Sequence, residues 1–432
     1  MENTSSLKKN FFLLIVLTMS GAFIYSLPYF RSYYYDAFMA TFQMTNTEMG
    51  LCGTYFGLFG AVSYLIGGVI ADKFSIKKLI PFSMILTGGL GFYLLTSPSP
   101  MVIAIIHGIW GITSLMTFWP ALMKAIRSLA ASNEQGKAFG IFEGGRGITN
   151  AVYLAVAAII FGRMMAAGSE SMGIKWIITF FSGGTVLLGV VSIFLLRGLK
   201  ESKEEGSDGF SLKMIGRLLK MPSIWLMIGI IFTTYTMNLS YYYISPYVTE
   251  VFGASTLFAA MLSSSSQYIR PVAAFGAGIL GDRINSSKVM LLGQIVMVIG
   301  MCIVLFMPAS AGIIPILIAC VLIFSTMYVC QSMHFAIMAE IDCPPEIVGT
   351  AIGFICCIGY LPEAICPFVA GAMLDKYPGV AGYRIFFILL TLTIAAGILL
   401  TLIWLRMTKE KRAQILAINQ AKKAEKVAKQ SA

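Results

Sequence analysis

Glu134-Gln-Gly-Lys-Ala-Phe-Gly-Ile-Phe-Glu-Gly-Gly-Arg-Gly-Ile-Thr-Asn150 leaves a polar loop, enters an apolar run and carries Glu143 and Arg146 into it. A charged side chain in hydrocarbon costs roughly 2.5–3.5 kcal/mol even on lenient insertion scales. With a helix starting near Ala138, Arg146 lies about 12 Å deep at ~1.5 Å per residue, close to the midplane of a ~30 Å core. A cation held there needs an anion to answer it. The stretch predicts an anion-binding pocket inside a membrane protein.

The rest of the chain agrees with a membrane setting. Hydrophobic residues make up 57% of the 432 residues and charged residues 12%, with a mean hydropathy of +0.81, which excludes an ordinary soluble domain. Apolar windows fall near 11–36, 47–71, 78–97, 101–124, 139–163, 175–197, 223–248, 257–281, 288–308, 312–336, 346–374 and 382–406, each long enough to cross a bilayer. The expected class is an all-α polytopic membrane protein with twelve transmembrane helices. Lys and Arg concentrate in alternate loops (Lys73, Lys77, Lys78, Lys124, Arg127, Lys137, Arg283, Lys288), in the 198–222 loop and in the 409–429 tail. Both termini are therefore expected in the cytoplasm, in a membrane of the bacterial inner-membrane type. The formal charge of +11 reads as this topology signal plus contact with anionic lipid, and not as nucleic-acid binding. Seven of the eight cysteines lie in or beside apolar runs, so neither disulfides nor a metal site is expected.

Residues 198–222 are the longest polar interruption, and Phe210–Met221 within them suits a basic amphipathic helix on the inner membrane surface. The expected organisation is a six-helix bundle over 1–197, a linker over 198–222, a second bundle over 223–408 and a basic tail over 409–432. The halves repeat. Ser32-Tyr33-Tyr34-Tyr35 returns as Ser240-Tyr241-Tyr242-Tyr243 at an offset of 208, and Gly68-x-x-x-Asp72-Lys73 returns as Gly278-x-x-x-Asp282-Arg283 at an offset of 210. Two matches at nearly one offset indicate a duplicated unit with substrate between the halves.

Gly68-Val-Ile-Ala-Asp72-Lys73-Phe74-Ser75-Ile76-Lys77-Lys78 resembles the loop motif of the major facilitator superfamily, with Ser75 where the superfamily usually has glycine. The resemblance implies two pseudo-symmetric six-helix bundles and a gating role for Asp72, Lys73, Asp282 and Arg283. Trp119-Pro120, Glu134-x-Gly136, Glu340, Gly349-Thr350-Ala351-x-Gly353-Phe354 and Gly359-Tyr360-Leu361 resemble the organophosphate:phosphate antiporters, which exchange glycerol phosphate or hexose phosphate. That resemblance adds Trp119 to the substrate-binding set. The family's helix 5 histidine falls on Arg146, and its helix 1 arginine falls near Tyr29, two residues before Arg31. Its helix 7 arginine has no equivalent in Thr236-Met237-Asn238-Leu239, and Arg270 has no counterpart in the family.

Read by themselves, Glu143 and Arg146 are three apart and face the same way on a helix. Either they neutralise one another, or Glu143 holds Arg146 until substrate arrives or takes a coupling proton. Arg270, before Pro271, is a second central cation. Arg31 belongs either to the pocket or to an outer vestibule. Tyr25, Tyr29 and Asn238 sit deep enough to line a pocket. Glu363, after Pro362, is isolated in apolar sequence and suits either a proton carrier or a salt bridge to an arginine. His107 and His334 read as packed, hydrogen-bonded residues.

Two guanidiniums suit an oxyanion, so the expected function is secondary transport of a phosphorylated, sulfonated or carboxylated sugar or acid. Exchange against another anion, with phosphate as counter-ion, and symport with protons both remain open. No GK[ST] phosphate loop, nucleophile elbow or paired-carboxylate pattern occurs, so neither ATP, a cofactor nor enzyme activity is expected. A monomer is expected. Alternatives are proton-coupled drug efflux and a transporter-like ligand sensor.

Overall fold

The computed structural model describes residues 10–129, 134–199, 212–344 and 347–417. Residues 200–211 of the 198–222 linker and the end of the basic tail lie outside them, and within the expected amphipathic segment Leu212–Leu218 is a helix. Among the described residues nine helices are long and apolar enough to cross a membrane. They are α2 (Asn46–Lys73), α4 (Pro100–Leu129), α5 (Gln135–Ala166), α6 (Glu170–Gly198), α7 (Pro222–Phe252), α9 (Ser286–Phe306), α10 (Ile314–Met333), α11 (Val348–Lys376) and α12 (Val380–Met407). Span α1 is a pair, Phe11–Phe23 and Ser26–Tyr33, bent by 45°. Helices α3 (Ile76–Leu94) and α8 (Thr256–Ile284) complete the twelve. Serines 263–266, Gln267 and Arg270 account for the lower hydropathy of α8.

Several spans are interrupted, and local chemistry explains where. Pro120 has no N–H to give to the carbonyl four residues back, and its ring crowds that carbonyl. The chain answers by winding Ile112–Phe118 as a π-helix just before it, a wider turn that re-aims Trp119. In α7, Tyr241–Tyr243 tightens to a 3₁₀ turn ahead of Pro246. In α11, Val348–Gly359 ends before Pro362 restarts the helix.

Packing divides the chain into two compact units. The first holds residues 1–211, 242–268 and 363–382; the second holds 212–241, 269–362 and 383–432. This division cuts α7, α8 and α11, which the duplicated sequence keeps whole.

Within the first unit, glycines let helix backbones meet, as expected where packing rather than a hydrophobic drive joins helices in lipid. A side chain at Gly111 of α4 would lie 2.6 Å from the Phe56 carbonyl oxygen of α2, and one at Gly88 of α3 would lie 2.8 Å from the Ser182 carbonyl of α6. Gly50 and Gly57 of α2 rest in the same way on the Pro367 and Glu363–Ala364 backbone of α11. Asp375 then closes this seam from the far end, accepting from the Asn46 and Thr47 backbone N–H groups at 3.1 and 2.7 Å. A carboxylate belongs at such a helix start, where N–H groups lack intrahelical partners.

In the second unit, buried Glu340 performs a comparable task. Its two oxygens accept from the Ser287 backbone N–H at the start of α9 (3.0 Å) and from the Trp404 indole N–H of α12 (2.8 Å). Glu340→Ala removes the acceptor from two buried donors and is expected to lower stability by about 2–4 kcal/mol, read as thermal unfolding in detergent. Glu340→Gln keeps one acceptor and is expected to lose less; equal losses would contradict this role.

Candidate functional site

The site in the first unit starts from Arg146 on α5. Glu143, one turn earlier, accepts from Arg146 Nη1 with both oxygens, at 3.0 and 3.2 Å. The carboxylate therefore sits at one corner of the guanidinium and not across its fork. The faces of the guanidinium meet aromatic rings: its carbon lies 4.8 Å from the Trp119 ring centre and 5.3 Å from that of Phe142. Such contacts stabilise a partly desolvated cation by ~1–2 kcal/mol. The Arg146 side chain is 13% exposed and that of Glu143 58%, so the pair is open on the acid's side.

The glycines around this pair divide the work. A side chain at Gly145 would come 2.6 Å from Thr18 Cγ2, so Gly145 seats α5 against α1. Gly144 faces open space, with nothing within 4 Å of an added Cβ.

From Trp119 an aromatic line runs to a buried acid. Tyr25 stands at the bend of α1, with its ring 6.1 Å from Trp119 and 6.3 Å from Tyr29. Tyr29 lies edge-on to Phe56 at 5.3 Å and stacks with Tyr242 at 6.4 Å. Its hydroxyl donates to Glu363 Oε1, and Glu363 is 4% exposed. Glu363 is therefore not isolated, as its apolar sequence neighbours suggested. A tyrosine far away in sequence donates to it and fixes one oxygen of the acid in place.

The other expected residues are placed as follows. Arg31 is buried, donates to the Met49 carbonyl at 3.4 Å and lies beside Gly53 of α2; its neighbours are not those of Arg146. Asp72 pairs with Lys124 of α4 at 3.0 Å, while Lys73 is exposed. Asp282 and Arg283 are exposed and form no ion pair among the described residues. Ser75, the departure from the loop motif, has φ −62°, so its turn needs no glycine. The equivalent place in the second half is Asn285, at φ +83° and ψ +147°, a positive-φ conformation that favours glycine. In the second unit, half-buried Arg270 lies 5.5 Å from the Tyr328 ring centre, and Asn238 is buried. His107 and His334 are buried and hydrogen-bonded, to the Ile103 carbonyl and to Thr234.

Two residues were missed. Phe142 stands four before Arg146, the spacing at which helix side chains meet, so it was readable. Asp36 follows α1 and accepts from Thr249 Oγ1 at 2.6 Å. Burial pushes its carboxyl above the usual range, partly opposed by that hydrogen bond. Nothing local in the sequence marks that contact.

The profile of the Major Facilitator Superfamily matches residues 11–362. The chain belongs to the Major Facilitator Superfamily. It is a multi-pass transporter-family protein, and the loop motif at Gly68–Lys78 is that family's. Inner membrane protein YihN of Escherichia coli (strain K12) is 27% identical over 420 residues, 95% of this chain and 99% of that protein. Inner membrane protein YqcE of the same organism is 30% identical over 384 residues, covering 86% and 89%. Among solved structures, the nucleoside transporter NupG aligns with a TM-score of 0.70 at 14% identity, covering 92% of this chain and 98% of that one. A bacterial homolog of the human lysosomal transporter Spinster, inward-facing and occupied, aligns with a TM-score of 0.66 at 14% identity, covering 94% and 96%. At these identities the likeness is one of fold.

The glycine geometry makes a direct test of how this superfamily member seats Arg146. Gly145→Ala is expected to destabilise the protein by about 1–2 kcal/mol, because a methyl group meets Thr18 in a packed seam. Thr18→Ala in the same chain removes the obstructing Cγ2 and restores most of the loss. Gly144→Ala is expected to be neutral or to stabilise by up to ~1 kcal/mol, the helix preference of alanine over glycine. Equal thermal shifts for the two glycine variants would contradict this placement.

Proposed function

We propose that this protein is a secondary active transporter of a small organic anion, a phosphorylated, sulfonated or carboxylated sugar or acid, working by alternating access. The observation that carries the reading is the Arg146 cage: a guanidinium on Trp119 and Phe142, held at one corner by a Glu143 that is itself 58% exposed. A pair built only for stability would be expected to seal its carboxylate, since burying one charge and exposing the other gains little. An anion arriving on the exposed side can take the place of Glu143. The resemblance of α4–α5 and α10–α11 to the organophosphate:phosphate antiporters supports the same substrate class.

Tyr25, Tyr29 and Trp119 line the path from this cage to Glu363, the proposed proton carrier; Glu143 is a second candidate for that role. Arg31, Arg270 and Asn238 are proposed as further substrate ligands, and Asp72, Lys73, Asp282 and Arg283 as gating residues. The basic loops support cytoplasmic termini. The protein is proposed to work as a monomer in an inner membrane, by anion exchange or proton symport.

Two experiments test this reading. In the first, Arg146→Gln and the double variant Glu143→Gln/Arg146→Gln are compared by ligand-induced thermal stabilisation. The double variant is expected to fold yet to gain no stabilisation from organic phosphates, sulfonates or carboxylates. In the wild-type protein, ligand at ~100 times its Kd adds roughly 2.7 kcal/mol. Normal stabilisation of the double variant would remove Arg146 from the substrate site. In the second, Glu363→Gln in vesicles is expected to lose accumulation driven by a pH gradient while still exchanging labelled for unlabelled substrate. An unchanged response to the gradient would take the coupling role away from Glu363.

A further inference from the structure

The helix that carries Arg146 holds a second polar side chain that the cage does not use. Asn150 lies on α5 four residues after Arg146, one turn further along and in the same compact unit. At about 100° per residue, Asn150 points within about 40° of both Glu143 and Arg146, and about 160° away from Ile148 and Val152. Ile148 and Val152 are exposed apolar side chains, as the lipid-facing side of a membrane helix requires. Asn150 therefore belongs to the opposite face, with the Glu143–Arg146 pair.

Its neighbour Thr149 satisfies its own hydroxyl, which donates to the Gly145 carbonyl at 2.8 Å. Asn150 does not do the same: its Oδ1 is buried with no partner among the described residues. A buried amide with an unmet end is costly, and an apolar side chain of the same size would avoid that cost. The amide is held ready for a group from outside the chain.

The chemistry of an amide selects that group. An amide can turn end for end; its oxygen wants a donor, and its nitrogen wants an acceptor. A hydroxyl answers either end, since it both donates and accepts. A second carboxylate or phosphate oxygen answers only the nitrogen, and an alkyl group answers neither. We propose that Asn150 is a further substrate-binding residue, which takes a hydroxyl on the carbon skeleton of the anion held at Arg146. The inference rests on the anion reading above and narrows it to a hydroxylated organic anion. One helical turn separates the two side chains, so the hydroxyl stands roughly 6 Å from the charged group.

The test measures binding to the purified full-length protein of pairs of anions with equal charge: glucose 6-phosphate and cyclohexyl phosphate, glucuronate and cyclohexanecarboxylate, 3-hydroxypropanesulfonate and butanesulfonate. Glucose is the uncharged control. The wild-type protein is expected to bind the hydroxylated member of at least one pair about tenfold more tightly than its partner. Asn150→Leu should abolish that preference by weakening the hydroxylated ligand alone, because Arg146 still holds the charge of both. Without ligand, Asn150→Leu should melt at the wild-type temperature or above it, since the change removes an unmet polar group.

A preference unchanged in Asn150→Leu would overturn the proposal. Equal binding of both members of every pair by the wild type would overturn it too, and would leave the anion reading standing. A lower melting temperature of unliganded Asn150→Leu, with both members of a pair weakened alike, would make Asn150 a structural residue and overturn its role in binding. Failure of every hydroxylated ligand to bind would have the same consequence. Glucose bound as tightly as glucose 6-phosphate, and weakened in the same way by Asn150→Leu, would keep the Asn150 contact and remove the anion reading.

Discussion

A guanidinium in a membrane helix has to be answered by something. Arg146 cannot lose its charge at any ordinary pH, and a charge in hydrocarbon is costly. The protein answers it in three ways at once: a carboxylate one turn away, an indole on one side and a phenyl ring on another. Each fixes part of the surrounding fold. The indole requires Trp119 to face α5, which requires the π-helical stretch before Pro120. The close approach of α1 requires the glycine at 145, against Thr18. The carboxylate alone is left exposed, and that is where the arrangement departs from a sealed structural pair.

The aromatic line from Trp119 through Tyr25 and Tyr29 to Glu363 gives this cation a distant acidic counterpart in the same compact unit. Tyr29 hydrogen-bonds Glu363, and the Glu363–Ala364 backbone rests on Gly57 of α2. A change in the protonation of Glu363 would therefore act on the tyrosine that lines the path and on the helix contact beside it. In the proposed function, this is the route by which a proton and a substrate influence one another without touching.

Much of this was legible in the amino-acid chain because charges in apolar sequence are expensive and therefore informative. The pairing of Glu143 with Arg146 followed from spacing alone, and the superfamily from the duplicated Gly-x-x-x-Asp motif. Phe142 was equally readable, at four residues from Arg146. Other features were out of reach. The Tyr29–Glu363 bond joins residues 334 apart, and no local pattern announces it. Ser75 stands where the superfamily usually has glycine, yet its backbone is extended, and the positive-φ residue is Asn285 in the other half. The break of α7, α8 and α11 between compact units arises from packing, which a repeat in sequence does not encode.

Trp119 offers the most direct view of the central claim, because it lies under the guanidinium that is proposed to receive the substrate. The measurement is tryptophan emission of the purified protein during titration with small organic phosphates, sulfonates and carboxylates, compared with Trp119→Phe. An anion that draws Arg146 towards itself should change the emission saturably, and the change should vanish in Trp119→Phe. Anion binding that is plain by thermal shift, with Trp119 emission unaltered throughout, would contradict the account.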